Sequence, residues 1–205
     1  MYFRNAIFLI VSLVAMPAVA DGCLPYKLNP AVYIDMPTWT KEVVQPLDPM
    51  DLLHGNVIAT LSDNYDIVAD ITSIEDGFCV AIKSVTASVG YINFLVQIDM
   101  RHVPESCSYN AILSHEDDHI RAYLSVIDDF KPELQKSIYS AADSITPIFV
   151  RNQSDISAAV DELNAELQAH PDLILVKQKM KAAEEIRNKR VDQNDTGETL
   201  KRCFL

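Results

Sequence analysis

The chain has 205 residues, of which 49% are hydrophobic and 22% are charged, a composition typical of globular proteins. Its formal net charge is −12 at neutral pH. An acidic surface of this kind repels phosphate backbones and anionic lipids. The composition therefore argues against a nucleic-acid partner and against binding to a membrane surface.

The first twenty residues have the pattern of a secretory signal peptide. Arg4 supplies a positive start, an apolar run follows, and the small residues Ala-Val-Ala precede Asp21. The run is too short for a membrane anchor, and no later segment is apolar enough to span a membrane. We therefore expect an exported protein, periplasmic or secreted, whose residues 21–205 form one domain.

The cysteines favour the same kind of compartment. All four of them (Cys23, Cys79, Cys107 and Cys203) follow the predicted cleavage point. An even number of cysteines in an oxidising compartment predicts two disulfides, although four cysteines allow three pairings and the spacing does not select one. The absence of any Cys-x-x-Cys pair argues against a zinc–thiolate cluster.

Residues 21–103 are rich in strand patterns. Short turns separate the predicted strands, with Ser-Asp-Asn as one turn and Gly90 as another, and this arrangement favours an antiparallel sheet. A small helix is predicted at 48–55, because Pro49 stands at a first helical position and Gly55 at a stop. The predicted strands are 31–35, 56–61, 65–74, 78–89 and 91–100.

In residues 104–205 the spacing of apolar residues changes to the period of a helix. The first helix should begin at Ser106 or Ser108, and Pro132 should end or kink it. Another helix is predicted over 154–170, where Pro171 interrupts the pattern before it resumes. The predicted fold class is therefore α+β, with a small antiparallel sheet packed against a helical C-terminal half.

The first helix carries the sequence His115-Glu116-x-x-His119. At about 100° per residue, the two histidines lie about 40° apart and Glu116 about 60° beyond His119. Apolar residues share this arc, and the intervening Asp117 and Asp118 face the other way. Two imidazoles and a carboxylate that point inward cost several kcal/mol unless they are paired or bind a cation. A divalent metal ion meets this need, and a buried cluster in which Glu116 pairs with the histidines is the structural alternative.

The segment Cys-Ser-Tyr-Asn-Ala-Ile-Leu-Ser-His-Glu-Asp-Asp-His-Ile resembles the active-site helix of the zincin metallopeptidases. More narrowly, it resembles secreted bacterial families of predicted zinc proteases, which have a strand-rich front half, a cysteine shortly before the motif and helices after it. The resemblance implies Zn²⁺ as cofactor, His115 and His119 as ligands, Glu116 as general base and a peptide or protein substrate. Ala122 and Ser125 stand where the metzincin pattern has glycine and histidine, so that clan is disfavoured.

A catalytic zinc ion normally has three protein ligands, and the motif supplies two. Asp128 lies on the wet face of the same helix and is excluded by phase. If Cys107 pairs with Cys203, the C-terminal segment lies near the start of the motif helix, which favours Glu198 or Asp195 as third ligand, with Glu198 preferred. The alternatives left open are Glu133, Glu162, Glu166, Glu184, Glu185 and His170.

The sequence thus predicts an exported zinc metallopeptidase. Two other classes stay open: a metal-binding envelope protein without catalysis, and a disulfide-stabilised interaction protein in which the motif is coincidental. Tyr109 and Tyr123 could each donate a hydrogen bond to an oxyanion, with core packing as the commoner role for both. His54 and His102 have no spacing partners and are expected to be ordinary surface residues.

Overall fold

The computed structural model describes residues 20–46, 54–195 and 197–204. Strands occupy the N-terminal half and helices the C-terminal half, which confirms the predicted α+β class. Of the predicted signal peptide only Ala20 lies within the described residues. The predicted helix at 48–55 lies outside them except for its last two positions, and the second of these, Gly55, begins a strand.

One long hairpin forms most of the sheet. Strands β3 (Gly55–Ile74) and β4 (Gly77–Ile98) pair antiparallel over their whole length, so the predicted breaks within them are wrong. The Ser-Asp-Asn segment forms no turn, since Ser62 pairs with Gly90 and Asn64 with Ser88. Irregularities after Thr60 and after Val68 accommodate the twist of such long strands without ending them. Cross-strand pairing here overrides the local turn signal.

Three short strands share the opposite edge of β4. They are β1 (Ala31–Asp35), β2 (Thr40–Val44) and β5 (Ile148–Val150). Strand β1 occupies the predicted residues, but β1 and β2 run parallel to β4, whereas β5 runs antiparallel to it. The sheet is therefore mixed rather than purely antiparallel. Among the described strands β3 pairs with β4 alone, so it forms the other edge of the sheet.

Helix α1 (Cys107–Ser144) packs across one face of this sheet. It begins as predicted, because the hydroxyl of Ser106 accepts a hydrogen bond from the backbone N–H of Tyr109 at 3.2 Å. It does not break at Pro132. Proline removes one backbone hydrogen bond, but residues beyond it, among them Leu134 and Ile138, are buried in the core and stabilise the continuous helix.

The remaining helices complete the core and the far wall of the site. They are α2 (Ile156–Gln168), α3 (Pro171–Asn194) and the short α4 (Glu198–Arg202). Pro171 separates α2 from α3, as predicted. Helix α3 packs along α1, and buried side chains of all three long helices join those of β4 in one hydrophobic core. No helix within the described residues is both long and apolar enough to cross a membrane.

Two disulfides tie these elements together, and they differ in environment. Cys23–Cys79 is fully buried and joins the N-terminal segment to β4. Cys107–Cys203 joins the first residue of α1 to the end of α4, and Cys107 is exposed. The pairing that would bring the C-terminal segment beside the motif helix is thus the one observed, which fixes α4 at the edge of the candidate site.

Candidate metal centre

Helix α1 presents the three motif residues to the interior of the molecule. Glu116 is buried, with 3% of its surface exposed, as the helical phase predicts. The side chains of His115 and His119 are half-buried, at 23% and 14% exposure. Between them, Asp118 faces solvent. Asp118 nevertheless lines the cleft as an exposed residue, whereas Asp117 does not line it and pairs with Lys41. Of these three acids, Glu116 alone is buried.

Three ligand atoms converge in front of the histidines. The Nε2 atoms of His115 and His119 lie 3.2 Å apart. An Oδ1 atom of Asp192, from α3, lies 3.1 Å from the Nε2 atom of His119 and 3.6 Å from that of His115. Atoms that bind one tetrahedral zinc ion at 2.0–2.1 Å are about 3.3 Å from each other. The spacing of this His/His/Asp group therefore fits a tetrahedral ion with three protein ligands.

The outer nitrogens of both rings point to oxygen acceptors. The Nδ1 atom of His119 lies 2.8 Å from the side-chain oxygen of Asn188, whose amide nitrogen donates to the carbonyl of Glu184 at 3.0 Å. The Nδ1 atom of His115 lies 3.3 Å from the Oδ2 atom of Asp195. In a neutral imidazole these partners favour the tautomer with the proton on Nδ1, which leaves the lone pair of each Nε2 atom for a metal ion. Two lone pairs that face each other at this distance repel unless a metal ion or a shared proton lies between them.

Glu116 lies against the first residue of β3. A Cβ atom at Gly55 would overlap the Oε1 atom of Glu116 and the side chain of Ile112, so only glycine allows the strand to approach this closely. Burial raises the pKa of Glu116 to about 7, against a smaller lowering by His119. The metal-free protein thus holds a carboxyl group here whose pKa is close to neutral pH.

The motif opens into a cleft of about 580 Å³. Its walls are the start of β3, the first turns of α1, the end of α3 and the short helix α4. Residues of this wall include His54, Gly55, Asn56, Tyr123, Asn188 and Thr199. The Cys107–Cys203 disulfide holds α4 in this wall, and it thereby also keeps the preceding Asp195 close to His115.

The carboxylate beside the histidines belongs to Asp192, not to the predicted Glu198. Glu198 lies in α4 with a 60% exposed side chain, 3.5 Å from the Nζ atom of Lys201. Asp192 was not a sequence candidate, because its approach to α1 depends on how α3 packs. A signal was nevertheless present, since Asn188, Asp192 and Asp195 recur at helical spacing and define one polar stripe that faces the motif.

The other candidates for the third ligand are engaged elsewhere or exposed. Glu133 pairs with Lys179 at 2.5 Å, and Glu184 accepts a 2.5 Å hydrogen bond from the hydroxyl of Tyr91. His170 begins α3 by accepting a hydrogen bond from the N–H of Asp172. The exposed ones are Glu162, Glu166 and Glu185. Within the described residues, His115, His119 and Asp192 are the one group of three that could hold a metal ion.

A second histidine pair consists of His54, which lines the cleft, and His102, which does not. The Nδ1 atom of His54 is 3.1 Å from the Nε2 atom of His102. His102 is buried, so its expected position on the surface is wrong. Its carbonyl accepts a 2.7 Å hydrogen bond from Gln45, which fixes the loop that carries it. Burial, together with His54, lowers the pKa of His102 and keeps its imidazole neutral.

No protein-family model, no curated protein and no solved structure matches this chain.

Proposed function

We propose that this chain is an exported zinc-dependent peptidase, with His115, His119 and Asp192 as zinc ligands and Glu116 as general base. The observation that carries the proposal is the buried carboxylate of Glu116 next to a converging His/His/Asp group at the floor of a cleft. Three protein ligands and an open cleft side are the arrangement of a catalytic rather than a structural zinc site.

The chemistry then divides between the ion and the protein. A bound zinc ion polarises a carbonyl group and lowers the pKa of a coordinated water molecule. Glu116 accepts the proton of the attacking water and returns it to the leaving amine. Asn188 and Asp195 hold the two imidazoles in the tautomer that binds metal. Gly55 lets the strand close over Glu116 and shields it from bulk water.

The edge strand beside the cleft supports a peptide as substrate. Strand β3 pairs with β4 alone among the described strands, and its residues Gly55, Asn56 and Val57 line the cleft. An extended peptide that adds to this edge would form backbone hydrogen bonds with β3 and bring a scissile bond across the floor of the cleft. Recognition through backbone groups suits a peptidase, because every peptide presents them.

The proposal that the protein is exported rests on the two disulfides and on the N-terminal sequence. Both disulfides belong to an oxidising environment. The apolar segment before Asp21, with its small residues at the expected cleavage positions, supplies the route out of the cytoplasm. We therefore place the mature peptidase in the periplasm or outside the cell.

A Glu116→Gln substitution tests the proposed function. The amide keeps the shape of the side chain but cannot accept the proton of water, so hydrolysis of casein and of fluorogenic peptides should fall by about 10²–10⁴-fold. Zinc measured by mass spectrometry should stay at about one ion per chain. The control is Asp117→Asn, which removes the neighbouring acid that pairs with Lys41 outside the cleft. Full activity in a zinc-loaded Glu116→Gln protein would exclude the general-base role.

A further inference from the structure

Tyr123 is a cleft residue close to the candidate metal centre in the sequence. It lies on α1 four residues after His119, and it lines the cleft. Its ring packs edge-on against Tyr91, with centroids 5.1 Å apart, and tilted against Phe94 at 6.0 Å. These contacts with the sheet fix the ring, so the position of its hydroxyl is set by the core.

The hydroxyl of Tyr123 is a donor without a partner in the described part of the chain. The neighbouring Tyr91 differs, because its hydroxyl donates to Glu184 at 2.5 Å. Burial raises the pKa of Tyr123, and the charges of Glu184, Asp192 and Glu116 raise it further. The phenol is therefore protonated at neutral pH, and its hydroxyl can donate to an acceptor that enters the cleft.

We infer that the Tyr123 hydroxyl donates a hydrogen bond to the carbonyl oxygen of the scissile peptide bond and makes Tyr123 a catalytic residue. The inference rests on the proposed function. As water adds to the carbonyl carbon, the electron pair of the C=O bond moves onto oxygen, and the hydroxyl stabilises that developing charge. The C–N bond then breaks, and the amine leaves with the proton held by Glu116. Tyr123 keeps its own proton throughout.

The fixed ring distinguishes Tyr123 from the exposed neutral donors of the cleft. Ser114, Asn194 and Thr199 also line the cleft, but all three are exposed. An exposed donor exchanges its hydrogen bonds with water and must be reoriented when charge develops. A donor held by aromatic packing is already in place, and this preorganisation is what makes oxyanion stabilisation effective.

The test compares Tyr123→Phe with Tyr109→Phe. Both substitutions remove one phenolic hydroxyl from α1, and Tyr109 does not line the cleft. We expect Tyr123→Phe to lower kcat for a fluorogenic peptide by about 100-fold with little change in KM, because the hydrogen bond strengthens only as charge develops. Affinity for a phosphinic peptide, whose tetrahedral oxyanion mimics the intermediate, should fall in parallel. Zinc content and melting temperature should not change, and Tyr109→Phe should behave as wild type.

The outcomes separate this inference from the proposed function. If the wild type cleaves peptide and Tyr123→Phe retains its kcat, or loses activity through zinc or KM alone, Tyr123 has no catalytic role and the peptidase assignment stands. If the zinc-loaded wild type neither cleaves peptide nor binds the phosphinic peptide, the proposed function is wrong and this inference is wrong with it.

Discussion

Two pairs of histidines lie at the cleft, and their ring nitrogens are almost equally close. The nearest nitrogens are 3.2 Å apart in the His115/His119 pair and 3.1 Å apart in the His54/His102 pair. The rings cross at 90° in the first pair and at 69° in the second. Distance and ring geometry therefore do not distinguish a metal site from a hydrogen-bonded pair.

The surroundings of the two pairs do distinguish them. The first pair has an oxygen acceptor behind each ring and a carboxylate of Asp192 in front, so its two Nε2 lone pairs converge on one point. The second pair offers an Nδ1 atom to an Nε2 atom, an arrangement that one shared proton satisfies as a hydrogen bond. We therefore expect metal binding to depend on the carboxylate and on the outer partners rather than on the histidines alone.

The largest expected contrast comes from removing one ring of each pair. His119→Ala should lower the zinc content from about one ion per chain to almost none, since two remaining ligands hold zinc weakly. His102→Ala should keep its zinc. Elemental analysis after dialysis measures both, and circular dichroism confirms that each variant is folded. A folded His102→Ala protein without zinc would contradict the distinction between the pairs.

The carboxylate in front of the first pair gives the next largest effect. Asp192→Ala should weaken zinc binding by at least about 100-fold, because a direct ligand contributes no less than an outer partner does. Glu198→Ala should change the zinc affinity by no more than about twofold, since an exposed carboxylate paired with Lys201 contributes little. Competition with a fluorescent chelator gives both affinities. A large loss of zinc affinity in Glu198→Ala, with little loss in Asp192→Ala, would identify Glu198 as the third ligand.

The outer partners should have a smaller effect. Asn188→Ala frees the His119 ring to rotate and change tautomer, so we expect a loss of about 10–100-fold in zinc affinity. Gln45→Ala is the matched change at the second pair, where Gln45 bonds to the His102 carbonyl, and it should leave zinc affinity unchanged. The same competition assay applies. Equal losses in the two variants would indicate a general effect on folding instead.

Once zinc is removed, Glu116 beside the first pair and His102 in the second pair should make the free energy of unfolding depend on pH in opposite directions. The folded-state pKa of Glu116 is raised to about 7, so its contribution is fully present below the unfolded value near 4.5 and is lost as pH rises through about 7. Urea unfolding should show wild type losing up to about 3 kcal/mol relative to Glu116→Gln over this interval.

His102 should make the free energy of unfolding depend on pH in the opposite direction to Glu116. Its folded-state pKa is lowered, so its contribution is present above the unfolded value near 6.5 and is lost as pH falls through the folded pKa. A His102→Asn protein should therefore lose less stability than wild type on acidification. If both substitutions changed the pH profile in the same direction, the assigned environments of Glu116 and His102 would be wrong.

The sequence could predict the motif residues of the site because they are close together in the sequence, on one helix. The positions of His115, Glu116 and His119 on one helical turn follow from helix geometry alone. Asp192 comes from another helix, and its approach depends on the packing of α3 against α1, which the sequence pattern does not specify. The same limit explains the strands: the Ser-Asp-Asn segment has a turn signal, yet pairing with β4 keeps it extended.

Calorimetric titration of the zinc-free wild-type protein with Zn²⁺ measures directly whether the chain has one metal centre. Within the described residues, His115 and His119 form with Asp192 a group that could hold a metal ion, and His54 and His102 belong to no such group. We therefore predict a tight transition that ends at about one equivalent of zinc. No tight binding would contradict the metal centre, and saturation at about two equivalents would show that the second pair also binds metal.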